Sequence, residues 1–161
     1  MLRDFRPEDF GTLWEIDQRC FAPGIAYSRR ELSSYIRRQG AFTIVAERAE
    51  GTIDTAAAIV GFIVAEGNRG VGHIISIDVL PANRRSGLGS QLLLVAEKRL
   101  RSLHCRTVAL ETAVDNSSAL AFYKRHGYAV LRTYPRYYSN GVDALVLNKN
   151  LASEAALTPT A

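Results

Sequence analysis

Val79-Leu80-Pro81-Ala82-Asn83-Arg84-Arg85-Ser86-Gly87-Leu88-Gly89-Ser90, followed at one remove by Leu92-Leu93, is the stretch whose reading decides the fold. Ahead of it, Ile75, Ile77 and Val79 alternate in a β-branched run that predicts a strand ending at Pro81. Behind it, Leu88, Leu92, Ala96, Leu100 and Leu103 recur at three- and four-residue steps and predict a helix. Between them lies a turn with two arginines, a serine and two glycines. That order makes an anion cradle. Glycine lets the backbone turn its N–H groups toward a ligand, and a helix start adds unpaired donors and partial positive charge. Arg84 and Arg85 can add charge-assisted bonds to phosphate oxygens. The ligand expected is a pyrophosphate, although the pattern alone also fits an ordinary strand-to-helix turn with surface arginines.

What the turn lacks narrows the choice. A Walker loop needs G-x-x-x-x-G-K-[ST], and no lysine stands at that spacing. A dinucleotide fingerprint needs Gly or Ala three residues after Gly89, where the chain has Leu92. The pattern present is Arg84-x-x-Gly87-x-Gly89 after a Val-x-Pro strand end. It resembles motif A of the GNAT superfamily of N-acetyltransferases, whose members bind acetyl-coenzyme A in this way.

Composition sets wider bounds. A chain of 161 residues, 47% hydrophobic and 22% charged, suits one globular domain with a sizeable core. Seventeen arginines and three lysines against 16 acids give a net charge of +4. That balance suits an acidic ligand. The arginines fall in scattered pairs (Arg29-Arg30, Arg37-Arg38, Arg84-Arg85), not in one basic stripe, which argues against nucleic acid. Cys20 and Cys105 match no metal-binding spacing and read as small thiols; His73, His104 and His126 are too dispersed to suggest a metal site. The start, Met1-Leu2-Arg3-Asp4-Phe5-Arg6, is too charged for a signal peptide, and no apolar run approaches the ~20 residues of a membrane span. The expectation is a cytoplasmic protein with no membrane partner.

Along the chain, Leu2–Arg6 reads as a short strand closed by Pro7. Glu8–Phe21 reads as a helix with Phe10, Leu13, Trp14, Ile16 and Phe21 on its apolar face, broken at Ala22-Pro23-Gly24. Ser28 with Glu31 forms a capping-box signal for a second helix through Ile36 to Arg38. Phe42–Ala46 and Ala57–Ala65 read as a hairpin around the polar loop Glu50–Thr55, with His73–Val79 as the next strand. After the Leu88–Leu103 helix come a strand at Thr107–Glu111 and a helix at Ser117–His126 closed by Gly127. Strands at Tyr128–Thr133 and Ala144–Leu147 flank an Asn140-Gly141 turn. The order β-α-α-β-β-β-α-β-α-β-β predicts an α/β (α+β) single domain over residues 1–151, with 152–161 as a frayed tail. It is also the GNAT order, which implies a mixed, mostly antiparallel sheet of about seven strands flanked by four helices.

Two further stretches carry the resemblance. Asn116-Ser117-Ser118-Ala119 through Tyr123 to Gly127-Tyr128 is similar to GNAT motif B, N-x-x-A-x-x-x-Y-x-x-x-G-[FY]. Seven residues apart, Asn116 and Tyr123 share one helix face about 10 Å apart along the axis, so an amide and a phenol can line one groove. Read without the family, they are equally an N-cap and a core aromatic. Pro135-Arg136-Tyr137-Tyr138-Ser139-Asn140-Gly141-Val142-Asp143-Ala144 and Gly72-His73-Ile74-Ile75-Ser76-Ile77-Asp78-Val79 resemble protein N-terminal acetyltransferases. The kin are the RimI type and the catalytic subunits of the NatA type with their archaeal relatives. The loop after Cys20-Phe21 departs from them, reading Ala26-Tyr27-Ser28 where they usually have Pro-Trp-Ser.

The resemblance implies acetyl-coenzyme A as cosubstrate, no metal, a protein or peptide N-terminus as acceptor, and a monomer or homodimer. It places the coenzyme on the backbone of Ile77, Asp78 and Val79, on the turn Arg84, Arg85, Ser86, Gly87, Leu88, Gly89, Ser90, and on Asn116 and Tyr123. It implies direct attack of the amine on the thioester. An α-amine with a pKa near 8 is roughly one-tenth neutral at pH 7, so the base demanded is weaker than for lysine near 10.4. Glu111 is the expected base, with Asp78 and His73 as alternatives. On strict alternation Asp78 faces away from Ile77 and Val79, so a bulge is expected if it is to point inward. Tyr123 is the expected acid, since a phenol stays protonated at pH 7 and can protonate a thiolate. Tyr137 and Tyr138 are expected on the peptide backbone and Tyr27 beside its first side chain. A GNAT enzyme acting on a small amine or lysine, and a non-catalytic coenzyme-binding protein, remain open alternatives at this point.

Overall fold

A computed structural model describes residues 1–48 and 58–152. The loop Glu50–Thr55 and all of the expected tail except Ala152 lie outside the described residues. Eleven elements follow in the expected order: β1 (Leu2–Asp4), α1 (Phe10–Cys20), α2 (Arg29–Arg37), β2 (Ala41–Glu47), β3 (Ile59–Asn68), β4 (Val71–Val79), α3 (Leu88–Ser102), β5 (Thr107–Ala113), α4 (Ser117–Arg125), β6 (Ala129–Tyr134) and β7 (Ala144–Asn150). The seven strands form one sheet in the order β1-β2-β3-β4-β5-β7-β6. Every neighbouring pair is antiparallel except β4 with β5.

Local chemistry sets the ends of the helices. Ser28 accepts from the Glu31 N–H at 3.1 Å while Glu31 accepts from the Ser28 N–H at 3.0 Å, a reciprocal capping box opening α2. Gly127, at φ +89°, follows α4 where only glycine turns left-handed without strain. The first helix starts later than its periodicity suggests. Pro7–Asp9 form a 3-10 turn, because the Asp9 carboxylate is drawn to the Arg3 guanidinium (2.8 and 3.0 Å) and the Arg6 N–H (2.8 Å).

Two apolar layers cover the two sheet faces. Leu92, Leu93, Ala96 and Leu100 of α3 pack with Ile63, Ile74, Val108 and Leu147 on one side; Leu13, Ile16 and Leu32 of α1 and α2 pack with Val45, Phe62 and Val64 on the other. Burying a side chain of this size stabilises the fold by about 1.5–3 kcal/mol. A buried polar knot crosses the first layer. Lys149 Nζ donates to both carboxylate oxygens of Glu97 (3.0 and 3.2 Å), and the Tyr128 hydroxyl donates to the same group at 2.8 Å.

The feature that makes a site is a split in the sheet. Parallel pairing of β4 with β5 runs only from Val71 and Thr107 to His73 and Ala109. Beyond that, β5 follows β7 along its whole length while β4 stays with β3, so a wedge opens between them. At the same level the β3–β4 register slips: Val64 pairs with Ser76 but Ala65 pairs with Ile74, leaving Ile75 as the extra residue of a bulge. Ile74, Ile77 and Val79 therefore pack toward α3, and Ile75 packs toward α1 and α2.

Candidate active site

At the wide end of the wedge, the chain leaves β4 and enters the turn before α3. Arg85 and Gly87 are left-handed (φ +63° and +83°), and Gly87 is the residue that caps the helix. The first intrahelical bond runs from the Gln91 N–H to the Gly87 carbonyl (3.0 Å). The N–H groups of Leu88, Gly89 and Ser90 come before it and have no helical acceptor. A Cβ built on Gly87 meets nothing within 4 Å, so the approach to these donors is open. Free donors, a helix start and the exposed Arg85 fit a pyrophosphate. Three side chains of the turn have protein partners. Arg84 Nε donates to the Val79 carbonyl (2.9 Å), Ser86 Oγ to the Asn83 carbonyl (2.7 Å), and Ser90 Oγ sits 2.9 Å from His126 Nε2. Gly89 lies against the Phe122 ring, where a Cβ would stand 3.5 Å away, so the start of α3 is held close to α4.

Tyr123 of α4 is buried, with its ring edge-on to Phe122 (5.3 Å) and Tyr128 (5.7 Å). Burial, with smaller contributions from Asp78 and Tyr138, holds its phenol above the ordinary range, so it stays protonated. Asn116 is the N-cap of α4: its Oδ1 accepts from the Ala119 N–H at 3.2 Å and the Ser118 hydroxyl at 3.3 Å. Cys20, only partly buried, reaches over the Val79 carbonyl at 3.5 Å. Burial and Asp78 push its thiol up to about 11, so it is not a thiolate at neutral pH.

The two candidate bases from different strands are brought together. His73 Nε2 is 2.7 Å from Glu111 Oε2, side by side where β4 and β5 part. On its other side His73 Nδ1 lies 3.6 Å from Glu66, and Glu66 takes Arg38 at 2.9 Å. Burial alone would lower the imidazole pKa; the contacts with Glu111 and Glu66 outweigh it and leave His73 above its ordinary value. Asp78 is placed differently. Its carboxyl is fully buried against Asp17 of α1 and takes the Ser76 hydroxyl. The bulge expected for it falls upstream at Ile75, and Asp78 faces away from Ile77 and Val79 without a bulge of its own.

Aromatic side chains cluster beside this pair of strands. Tyr137 is half exposed, stacked on Tyr134 (5.9 Å) and perpendicular to Tyr138 (5.0 Å). Burial raises the phenols of both Tyr137 and Tyr138; the negative charge of Glu111 adds to the rise in each, after that of Tyr137 in the case of Tyr138. Tyr27 lies 5.1 Å from Tyr35, and its hydroxyl donates to the carbonyl of Ile75, the bulge residue, at 3.2 Å. Glu66, Arg38 and Tyr35 had no signal in the sequence as part of this cluster. Their assembly depends on the register of β3 with β4 and on the docking of α2, neither of which a local pattern encodes.

Comparison with known proteins places this geometry. The family model described as "Acetyltransferase (GNAT) family" matches residues 10–128. An uncharacterized N-acetyltransferase of Methanocaldococcus jannaschii is 37% identical over 92 residues, 56% of this chain and 59% of the relative. An N-alpha-acetyltransferase of Sulfurisphaera tokodaii is 36% identical over 77 residues, 47% of this chain and 46% of the relative. The match thus spans about half the length of these curated relatives. The crystal structure of the NatC complex bound to Gag peptide and CoA superposes with a TM-score of 0.75 at 25% identity, over 93% of this chain and 97% of that one. Motif, split sheet and family match agree, and the chain belongs to the acetyltransferase (GNAT) family.

Proposed function

We propose that the protein transfers the acetyl group of acetyl-coenzyme A to the N-terminal α-amine of a protein or peptide by direct attack in a ternary complex. The observation that carries the reading is the Glu111–His73 pair at 2.7 Å, set where β4 and β5 part, with the charge of Glu111 felt by the phenols of Tyr137 and Tyr138. The names of the N-alpha-acetyltransferase relative and of the peptide- and CoA-bound NatC structure support it. The free N–H donors in the first turn of α3 hold the pyrophosphate, and the edge of β4 from Ile77 to Val79, which β5 leaves unpaired, lies beside the pantetheine, with the Val79 carbonyl already held by Arg84.

The amine nitrogen attacks the thioester carbonyl, the new C–N bond forms, and the C–S bond breaks. The amine loses its proton to Glu111, directly or through a water, with His73 orienting the carboxylate. The departing sulfur takes the proton of Tyr123, which its burial keeps in place until negative charge develops nearby. Burial keeps the Cys20 thiol protonated at neutral pH, and no step is assigned to it. Tyr137 and Tyr138 bond the peptide backbone, and the Tyr27 ring flanks the first residue. The protein acts in the cytoplasm on protein N-termini. Thiol release from acetyl-coenzyme A, measured with peptides bearing free or blocked N-termini and with small amines, tests the reading. Release with free N-termini alone supports it; release only with small amines or lysine contradicts it, and no release with any amine makes the chain a coenzyme-binding protein without activity.

A further inference from the structure

Two buried acids beneath the site take no part in the steps above. Asp17 lies on the buried face of α1 and Asp78 near the end of β4, both closed off from solvent. Each carboxyl has one oxygen satisfied: Asp17 Oδ2 accepts from the Tyr27 N–H (2.7 Å) and Gln18 Nε2 (3.3 Å), and Asp78 Oδ1 accepts from the Ser76 hydroxyl. The other two oxygens, Asp17 Oδ1 and Asp78 Oδ2, are buried without a donor, and the two carboxyl groups adjoin each other. Ionised carboxylates only accept, so two of them cannot bond and repel strongly in a dry site. One proton between them turns one group into a donor and satisfies both orphaned oxygens at once.

We infer that Asp17 and Asp78 hold a single proton between them, and that this proton-linked pair pins the Tyr27 loop to the bulge of β4. The loop has several attachments to this spot. The Tyr27 N–H meets Asp17, its carbonyl accepts from Trp14 Nε1 (3.1 Å) and Gln18 Nε2 (2.7 Å), and its hydroxyl meets the Ile75 carbonyl. The bulge side is tied in through Ser76 to Asp78. The charged and titratable neighbours fit one shared proton. Glu31 adds negative potential at Asp17, while Arg84 supplies a positive charge near Asp78. Cys20, Tyr27 and Tyr123 are neutral at pH 7. One net negative charge between the two acids is matched by Arg84, and two are not. Asp17 and Asp78 are thus positioning residues, acting on the acceptor through Tyr27.

Infrared spectroscopy of the full chain in deuterated buffer at pH 7 tests the shared proton without any assay of activity. The wild type is expected to show a protonated-carboxyl C=O band, and Asp17→Asn and Asp78→Asn each to lack it. Absence of the band from the wild type, or its survival in both variants, overturns the inference. If one variant fails to fold, the wild type and the other decide. The folded state keeps a proton that the unfolded chain releases above about 3.8. Wild-type stability is therefore expected to fall as pH rises from there through the pair's raised pKa and then to level off, and Asp17→Asn to lose that slope. The positional half rests on the proposed acceptor. The peptide KM of the wild type is expected to rise on the order of tenfold as the pair ionises, equivalent to 1.4 kcal/mol of docking. In Asp17→Asn the same pH change is expected to leave KM flat. An equal rise in both overturns the positioning role, and a protein that acetylates no N-terminus still gives the infrared result.

Discussion

Lys149→Met removes the cation of the knot that fixes α3 and α4 on the sheet. Glu97 is completely buried, the Lys149 side chain is 9% exposed, and the ammonium spans both carboxylate oxygens at 3.0 and 3.2 Å. The methionine fills the aliphatic path and leaves a buried carboxylate with its Tyr128 bond and no counter-charge. Breaking such a pair from one side costs about 3–5 kcal/mol. At about 2–4 °C per kcal/mol for a domain of this size, the melting temperature should fall by roughly 6–20 °C. Glu97→Gln combined with Lys149→Met removes both charges, keeps an acceptor for Tyr128, and should recover most of the loss. The assay is a two-state thermal or urea melt of the four proteins of the double-mutant cycle, where contact predicts a coupling above about 1 kcal/mol. A Lys149→Met protein within about 1 kcal/mol of wild type, or losses that simply add, would refute the reasoning.

The remaining predictions concern the site. His73 has a folded pKa above 6.5 because Glu111 and Glu66 favour its charged form, so its stabilisation is complete below about 6.5 and is lost as pH rises through the folded value. Melts of His73→Gln across that window should be flatter than wild type, and an unchanged slope would remove the ion pair from the account. Gly87→Ala puts a side chain at φ +83° with open space around its Cβ, so the strain is conformational, about 1–2 kcal/mol, and calorimetry should find weaker coenzyme binding as the turn relaxes. Glu111→Gln and Tyr123→Phe should each lower kcat by about 10²–10⁴ while leaving coenzyme affinity near wild type; full activity in both would sink the proposed roles.

The element order was legible because its signals are local. The Ser28–Glu31 cap, the left-handed Gly87 and Gly127 and the leucine stripe of α3 each depend on residues within a few positions. The turn before α3 was legible for the same reason. The pairing of His73 with Glu111, 38 positions apart, was not, since it follows from three residue pairs of parallel register between β4 and β5. Taken separately, the two residues read as competing bases, whereas in space they form one hydrogen-bonded unit. Asn116 shows the opposite case: its capping geometry is local, and its Oδ1 is engaged as a cap. Asp17 stands four residues after Leu13 and three before the end of α1, on the face that packs inward, so the apolar pattern left room for an acid that only its partner on β4 explains. Asp78 was legible as facing away from Ile77 and Val79, but what it faces was set by the Ile75 bulge and the docking of α1.

The site at which the acetyl group lands separates an N-terminal acetyltransferase from one that acts on lysine. A peptide carrying both a free N-terminus and an internal lysine, incubated with the protein and acetyl-coenzyme A, can be fragmented in a mass spectrometer to locate the added acetyl mass. Acetyl is expected on the α-amine, with lysine unmodified and the product abolished by Tyr123→Phe. Acetyl on the lysine alone, or the same yield at the N-terminus without the protein, would contradict the proposed activity.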